Sequence, residues 1–198
     1  MQISNRAIQL LQDQRHQSSD LNRSLWIEFN QSSDKILTLK YCKDWSDVEK
    51  ITLEVMAIFL NNRELKRISS ISIKELESFL RDDNLVPSAD NNTLSSFQLA
   101  LEKIKKCLII ETLVHFFPSI EVKKPDHFIE KIKFHQSLIT FLNQYYFSES
   151  KVKHIMSEHE FIYCQFSDEK SEPLFQTILN NYFEIVHSDL IKVVAVKG

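Results

Sequence analysis

The sequence predicts an α+β fold: a short antiparallel sheet covered by helices, followed by a helical C-terminal segment. Three observations lead there. Leu25, Ile27 and Phe29 alternate with Trp26 and Glu28, and Leu37, Leu39 and Tyr41 alternate with Thr38 and Lys40, on either side of a polar turn. Two pairs, Ser46 with Glu49 and Ser72 with Glu75, stand ahead of apolar runs, where hydroxyl and carboxylate cap each other's backbone amides. Beyond Thr112, apolar residues recur mostly at three- and four-residue steps.

In chain order, Ile3, Ala7, Leu10 and Leu11 space as an amphipathic helix, and a polar connection follows. The two alternating runs then form a β-hairpin with one apolar face. Two strands alone are marginal, so that face needs helices as a cover, which gives an α+β layer over roughly residues 20 to 110. The first covering helix starts at Ser46. It turns Val48, Ile51, Val55, Met56, Phe59 and Leu60 to one side and Glu49, Lys50 and Glu54 to the other, and stops at Asn61-Asn62. A shorter helix follows Ser72, carrying Leu76, Phe79 and Leu80, until Pro87 forces the chain out. From Ser95 or Ser96 a longer helix buries Phe97, Leu101, Ile104, Cys107 and Leu108 and leaves Glu102, Lys103, Lys105 and Lys106 outside. These elements make a first domain over residues 1–115.

Residues 116–198 are expected to be a helical C-terminal region. Pro118 and Pro125 bracket an extended piece, and Phe128, Ile129, Ile132, Leu138, Ile139, Leu142 and Tyr145 mark a long helix. Val152, Ile155, Met156 and His159 space as another, with Phe161 to Cys164 an extended junction. Pro173 suits the first turn of a helix through Phe183. The segment from Ser188 to Val196 fits helix or strand, its valines favouring strand.

Composition excludes several function classes. A chain of 198 residues with 43% hydrophobic content buries a core of one moderate domain or two small ones. The net charge of -3 provides no global field for phosphate, and the cluster of Lys103, Lys105, Lys106, Lys123 and Lys124 reads as a solvated helix face, so no nucleic acid is expected. Three cysteines, Cys42, Cys107 and Cys164, are too few for a disulfide framework and imply a reducing, cytoplasmic setting. No apolar run approaches the ~18 residues of a bilayer span, and the first fourteen residues are too polar for a secretory signal. Gly198 is the one glycine, which removes the glycine-rich phosphate loops. His154 and His159 are five apart and His127 and His135 eight apart, spacings that do not put two rings on one ion. Asp82-Asp83 reads as a polar turn, and no serine, histidine and acid combination supports an enzyme. Fourteen phenylalanines are mostly core, with any exposed share in the C-terminal half a face for a protein partner.

The run from Ile36 to Tyr41, the helix from Val48 to Leu60, the stretch from Ile71 to Pro87 and the helix from Leu94 to Cys107 stand in a telling order. They resemble the central strand, following helix, helix-and-proline loop and long helix of the NifU/IscU-type iron-sulfur cluster scaffold family. Ile162 to Ser167 and the helix after it are faintly similar to the small cysteine-rich, ferredoxin-like domain of longer NifU proteins. The resemblance implies a surface for protein partners such as a cysteine desulfurase, and a cluster held by three cysteines. Element-by-element matching places Ser19, Ser46 and Ser95 at those positions, and a hydroxyl is harder and far less acidic than a thiolate. Of the small domain's first cysteine pair only Cys164 remains. The candidate metal ligands are then Cys42 and Asp44, with Asp20, and Cys164 near His159. The resemblance therefore implies a NifU-like protein of iron-sulfur cluster assembly with impaired or absent cluster binding, no cofactor or at most a weakly bound iron-sulfur cluster, acting through a partner. The other expectation is a protein-protein interaction module unrelated to iron-sulfur chemistry.

Overall fold

The computed structural model describes residues 3–19, 24–30, 35–83, 85–117, 128–146, 152–158, 161–166, 171–186 and 192–195. The chain divides into two compact units, Met1–Glu111 and Thr112–Gly198.

In the first unit β1 (Leu25–Phe29) and β2 (Lys35–Tyr41) form the predicted antiparallel hairpin, and β3 (Arg63–Glu64) pairs on the far side of β2. Its inward face differs at one position. Leu25 stands opposite Tyr41 and Ile27 opposite Leu39, but Phe29 stands opposite Ile36 because the register shifts between Glu28 and Phe29. The extra residue is Leu37, which is left 40% exposed while Ile36 is fully buried. A bulge reverses the alternation beyond it, and no period-two pattern announces one.

α2 (Asp47–Leu60) covers this sheet. The Ser46 hydroxyl accepts from the Glu49 amide and the Glu49 carboxylate from the Ser46 amide, so the helix starts at the predicted capping box. Packed by β2, β3, α1 (Asn5–Asp13) and α4 (Ile73–Leu80), it is buried nearly all round from Ile51 to Ala57. Two expectations fall with that. Glu54 is buried instead of facing solvent, and Phe59 is only half-buried.

Asn62 then takes a left-handed φ of 56° and its amide donates to the Ile36 carbonyl at 2.7 Å, turning the chain into β3. A short helix that the spacing does not predict, α3 (Lys66–Ser70), precedes α4, whose cap is the expected Ser72. The long helix α5 (Asn91–Phe116) begins ahead of Ser95, because Asp90 Oδ1 accepts the Thr93 amide at 2.7 Å and acts as the cap. Ser95 and Ser96 lie inside the helix.

The second unit is mixed, which corrects the helical expectation for the C-terminal region. α6 (Phe128–Tyr146) and α7 (Ser171–Val186) match the predicted helices, but Val152–Glu158 is a strand, β4, antiparallel to β5 (Phe161–Phe166). β5 is the central strand of the sheet and pairs in parallel with β6 (Lys192–Ala195), the connection through α7 being long enough for a parallel crossover. A bulge explains the misleading spacing. Val152 pairs with Phe166 and Ile155 with Cys164, so residues three apart on β4 occupy places two apart along β5. Phe116, Phe117, Phe134, Phe141 and Tyr145 stack in this unit with neighbouring ring centroids 4.7 to 5.8 Å apart, so part of the phenylalanine content is packing. His159, Ser188 and the stretch from Pro118 to Pro125 lie outside the described residues. Among those described, no helix is long and apolar enough to cross a membrane.

Candidate functional site

Glu54 is the lone acid between Ile51 and Leu60, and it is 2% exposed. Its Oε1 accepts from the Tyr41 hydroxyl at 2.8 Å and from the His16 amide at 2.9 Å, and its Oε2 lies 2.7 Å from His16 Nδ1. Burial by itself would raise the carboxyl pKa. The His16 ring, the His16 amide and the Tyr41 hydroxyl outweigh it and hold Glu54 below the ordinary carboxylate range. An ionised carboxylate only accepts, so Nδ1 carries the proton facing it. Burial, and then Glu54 beside it, push the Tyr41 phenol far above its usual value, which keeps it a donor.

The backbone brings these groups together. The Tyr41 amide donates to the His16 carbonyl at 3.1 Å and the Ser18 amide to the Tyr41 carbonyl at 2.8 Å, so residues 16 to 18 run on beside the end of β2. His16 and Glu54 both line a depression of about 250 Å³ with Arg6, Leu10, Arg15 and Phe79. A carboxylate that orients an imidazole is part of a nucleophile-activating set. Among the described residues no serine, threonine or cysteine lines this depression; what the three contacts visibly do is tie residue 16 and the end of β2 to the middle of α2.

The residues singled out in the sequence are placed as follows. Ser46 caps α2, and its hydroxyl also donates to Glu49 Oε2 at 2.8 Å. Ser95 donates to the Asn91 carbonyl at 3.0 Å inside α5. Lys103, two turns or ~12 Å further along α5, reaches Glu49 Oε1 at 2.6 Å and covers the Trp45 ring, so it is Lys103, not Ser95, that meets the head of α2. Ser19 follows the pairing of Ser18 with Tyr41, and Asp20 lies outside the described residues. Cys42 Sγ lies 3.7 Å from Asp44 Oδ2, so these two come together. Among the described residues no three histidine, cysteine or acidic side chains converge on a common point. Cys164 is buried in the second unit and burial pushes its thiol up to about 12, while burial also raises the half-buried Cys107. An iron-sulfur cluster requires thiolates, and the hydroxyls of Ser46 and Ser95 are engaged within their own helices. The donor set does not fit that group.

Several functional-looking groups hold the frame instead. Asp82 accepts the amides of Asn5 and Arg6 at 2.7 and 2.8 Å, placing a carboxylate at the positive end of α1. Glu77, held low first by Arg81 and also by the Ser88 amide, pins the loop that contains Pro87. Lys105, expected in solvent, donates to the carbonyls of Ser69, in the last turn of α3, and of Ile71 just beyond it, and its burial lowers its pKa. Except for Glu77 with Arg81, which stand four apart, sequence spacing misses these, since each pairs residues from different elements or loops. The one available signal was Glu54 itself, an acid inside an otherwise buried-type run, which demands a partner. Comparison of the chain with protein-family models, with curated proteins and with solved structures finds no match in any of the three.

Proposed function

We propose that this chain is a partner-binding protein of iron-sulfur cluster assembly, built in its first unit like the NifU/IscU scaffold and carrying no functional cluster site of its own. The observation that carries the reading is the element order: hairpin, enclosed helix headed by Ser46, two short helices, proline loop and long helix. The resemblance expects a strand, its following helix, one helix with a proline loop and a long helix in that order; β3 and α3 are additions to it. The engaged hydroxyls of Ser46 and Ser95 support the loss of cluster binding. Its partner in this reading is a cysteine desulfurase. The test has two arms. Purified desulfurase from the same organism should be retained by the immobilised chain, and anaerobic reconstitution with iron and sulfide should give little visible absorbance. Changing Ser19, Ser46 and Ser95 together to cysteine should not restore uptake, because Ser95 lies two turns or ~12 Å along α5 from the lysine that meets the head of α2. Failure to retain the desulfurase, together with strong cluster uptake by the native chain, overturns the reading.

A second reading, an interaction module outside iron-sulfur chemistry, is favoured by one observation. The apolar side chains that α2 exposes, Ile58 and half-buried Phe59, lie at its far end, twelve and thirteen residues or ~18–20 Å beyond Ser46. A partner seated there would not touch the positions that match the family's ligands.

A further inference from the structure

The exposed end of α2 belongs to a continuous strip. Ile58 and Phe79 line the depression beside His16 and Glu54, and Ile58 and Phe59 line a second of about 520 Å³ with Arg63, Arg67 and Glu75. Phe59 and Phe79 meet again in a third with Lys74, and Arg63 and Arg67 continue into a fourth with Lys35 and Lys66. The two phenyl rings stand edge to face at 5.1 Å, with the Arg6 guanidinium 4.0 Å from the centre of one and that of Arg67 5.8 Å from the other. Ile58 is 44% exposed at the end of a helix whose preceding seven residues are no more than 4% exposed.

Charge on the strip runs against the chain's. Seven lysines and arginines line it against four carboxylates, in a chain of net charge -3. The four acids are occupied: Glu54 by His16 and Tyr41, Asp13 by Arg15, Glu64 by Lys66, Glu75 by Arg67. Arg6, Arg63 and Lys74 form no ion pair among the described residues. Guanidinium groups laid beside aromatic rings, around an exposed aliphatic side chain, offer bidentate contacts to carboxylates next to an apolar seat.

We propose that this strip docks an acidic linear segment of a partner protein, whose aromatic or aliphatic anchor sits on Ile58 between Phe59 and Phe79 while its carboxylates meet Arg6 and Arg63. A nucleic acid fits less well, because Asp13, Glu64 and Glu75 interrupt the cations and a phosphate backbone needs an unbroken positive track. The inference rests on the partner-binding reading above but not on its iron-sulfur part.

The test is selection of random twelve-residue peptides displayed on phage against the immobilised full chain, with the Ile58→Asp/Arg63→Glu double variant run in parallel. Both changed residues are surface positions, and unchanged urea unfolding of the variant will establish that it is folded. The selected peptides should be rich in Asp and Glu around a Phe, Leu or Trp. The best of them, fluorescein-labelled, should bind with saturable anisotropy that weakens with salt and falls at least ~10-fold on the variant. Replacing its anchor by Ser should weaken binding comparably. No enrichment, enrichment of basic peptides, equal binding by the variant, or tighter binding of a twelve-nucleotide oligothymidylate overturns the proposal. If the variant does not fold, Arg6→Ser and Lys74→Glu take its place and are read against the same criterion. A desulfurase that fails to bind the native chain leaves these outcomes unaffected, so the two readings fail separately.

Discussion

Removing the hydroxyl of Tyr41 is the sharpest probe of the Glu54 network. Tyr41→Phe keeps the ring in place and deletes one donor at 2.8 Å to a carboxylate that retains the two contacts from His16. Tyr41 is fully buried, so no water takes over the lost bond. A hydrogen bond to a charged group contributes ~1.5–3 kcal/mol. With a urea dependence of ~1–3 kcal/mol per molar, the unfolding midpoint should fall by ~1 M. Trp26 and Trp45, the chain's two tryptophans, both lie in the first unit, so intrinsic fluorescence follows that unit within the full-length protein. The pH dependence has a definite sign. Glu54 is depressed in the folded state, so its contribution is full above the unfolded carboxyl value and is lost as pH falls through the folded one. The gap between native chain and variant should therefore be widest near neutrality and close in acid, below ~4. A gap under ~0.5 kcal/mol at neutral pH, or one that stays constant into acid, would refute the buried ionised network.

Leu37→Ser should change stability by no more than ~0.5 kcal/mol, whereas Leu39→Ala should cost ~2–5 kcal/mol; equal losses in urea titrations would contradict the bulge. Phe59→Ala should cost well under the ~3–5 kcal/mol of a fully buried phenylalanine, because Phe59 is half-buried, and a loss inside that range would mean the ring is enclosed. Asp90→Ala should cost ~1 kcal/mol through the lost α5 cap, while Ser95→Ala, one turn inside, should be nearly neutral; the reverse ranking by thermal melts would restore a helix start at Ser95.

Local chemistry made the first unit legible. Ser46 with Glu49 and Ser72 with Glu75 announce their helices because a cap is decided within four residues, and Leu25, Ile27 and Phe29 announce a strand because alternation is decided by neighbours. Both bulges defeated that logic in the same way. One inserted residue exchanges the faces beyond it, which put Leu37 on the exposed face of β2 and gave Val152 and Ile155 on β4 the spacing of a helix. The candidate site was legible only as a misfit. Glu54 takes its partners from positions 38 and 13 residues away, His16 and Tyr41, and nothing along α2 names them. α3 escaped because its five residues offer too short a window for periodicity.

α2 also decides how the two functional readings are to be separated. Its head carries Ser46, where the resemblance places a cluster ligand, and its tail carries Ile58 and Phe59, where the cationic strip lies. Between them the helix is enclosed by the sheet, α1 and α4, and Glu54 fixes its middle to residues 16 and 41. Substitutions more than ~7–10 Å apart that share no partner generally add, and ~18–20 Å of helix separates these ends. Ser46→Cys should then leave the affinity for an acidic peptide unchanged, and Ile58→Asp/Arg63→Glu should leave retention of the desulfurase unchanged. Measured together, non-additive effects on peptide affinity would mean that the two ends communicate through the Glu54 network. In that case Tyr41→Phe, which weakens the network without touching either end, should reduce the coupling. If it does not, the network plays no part in linking them.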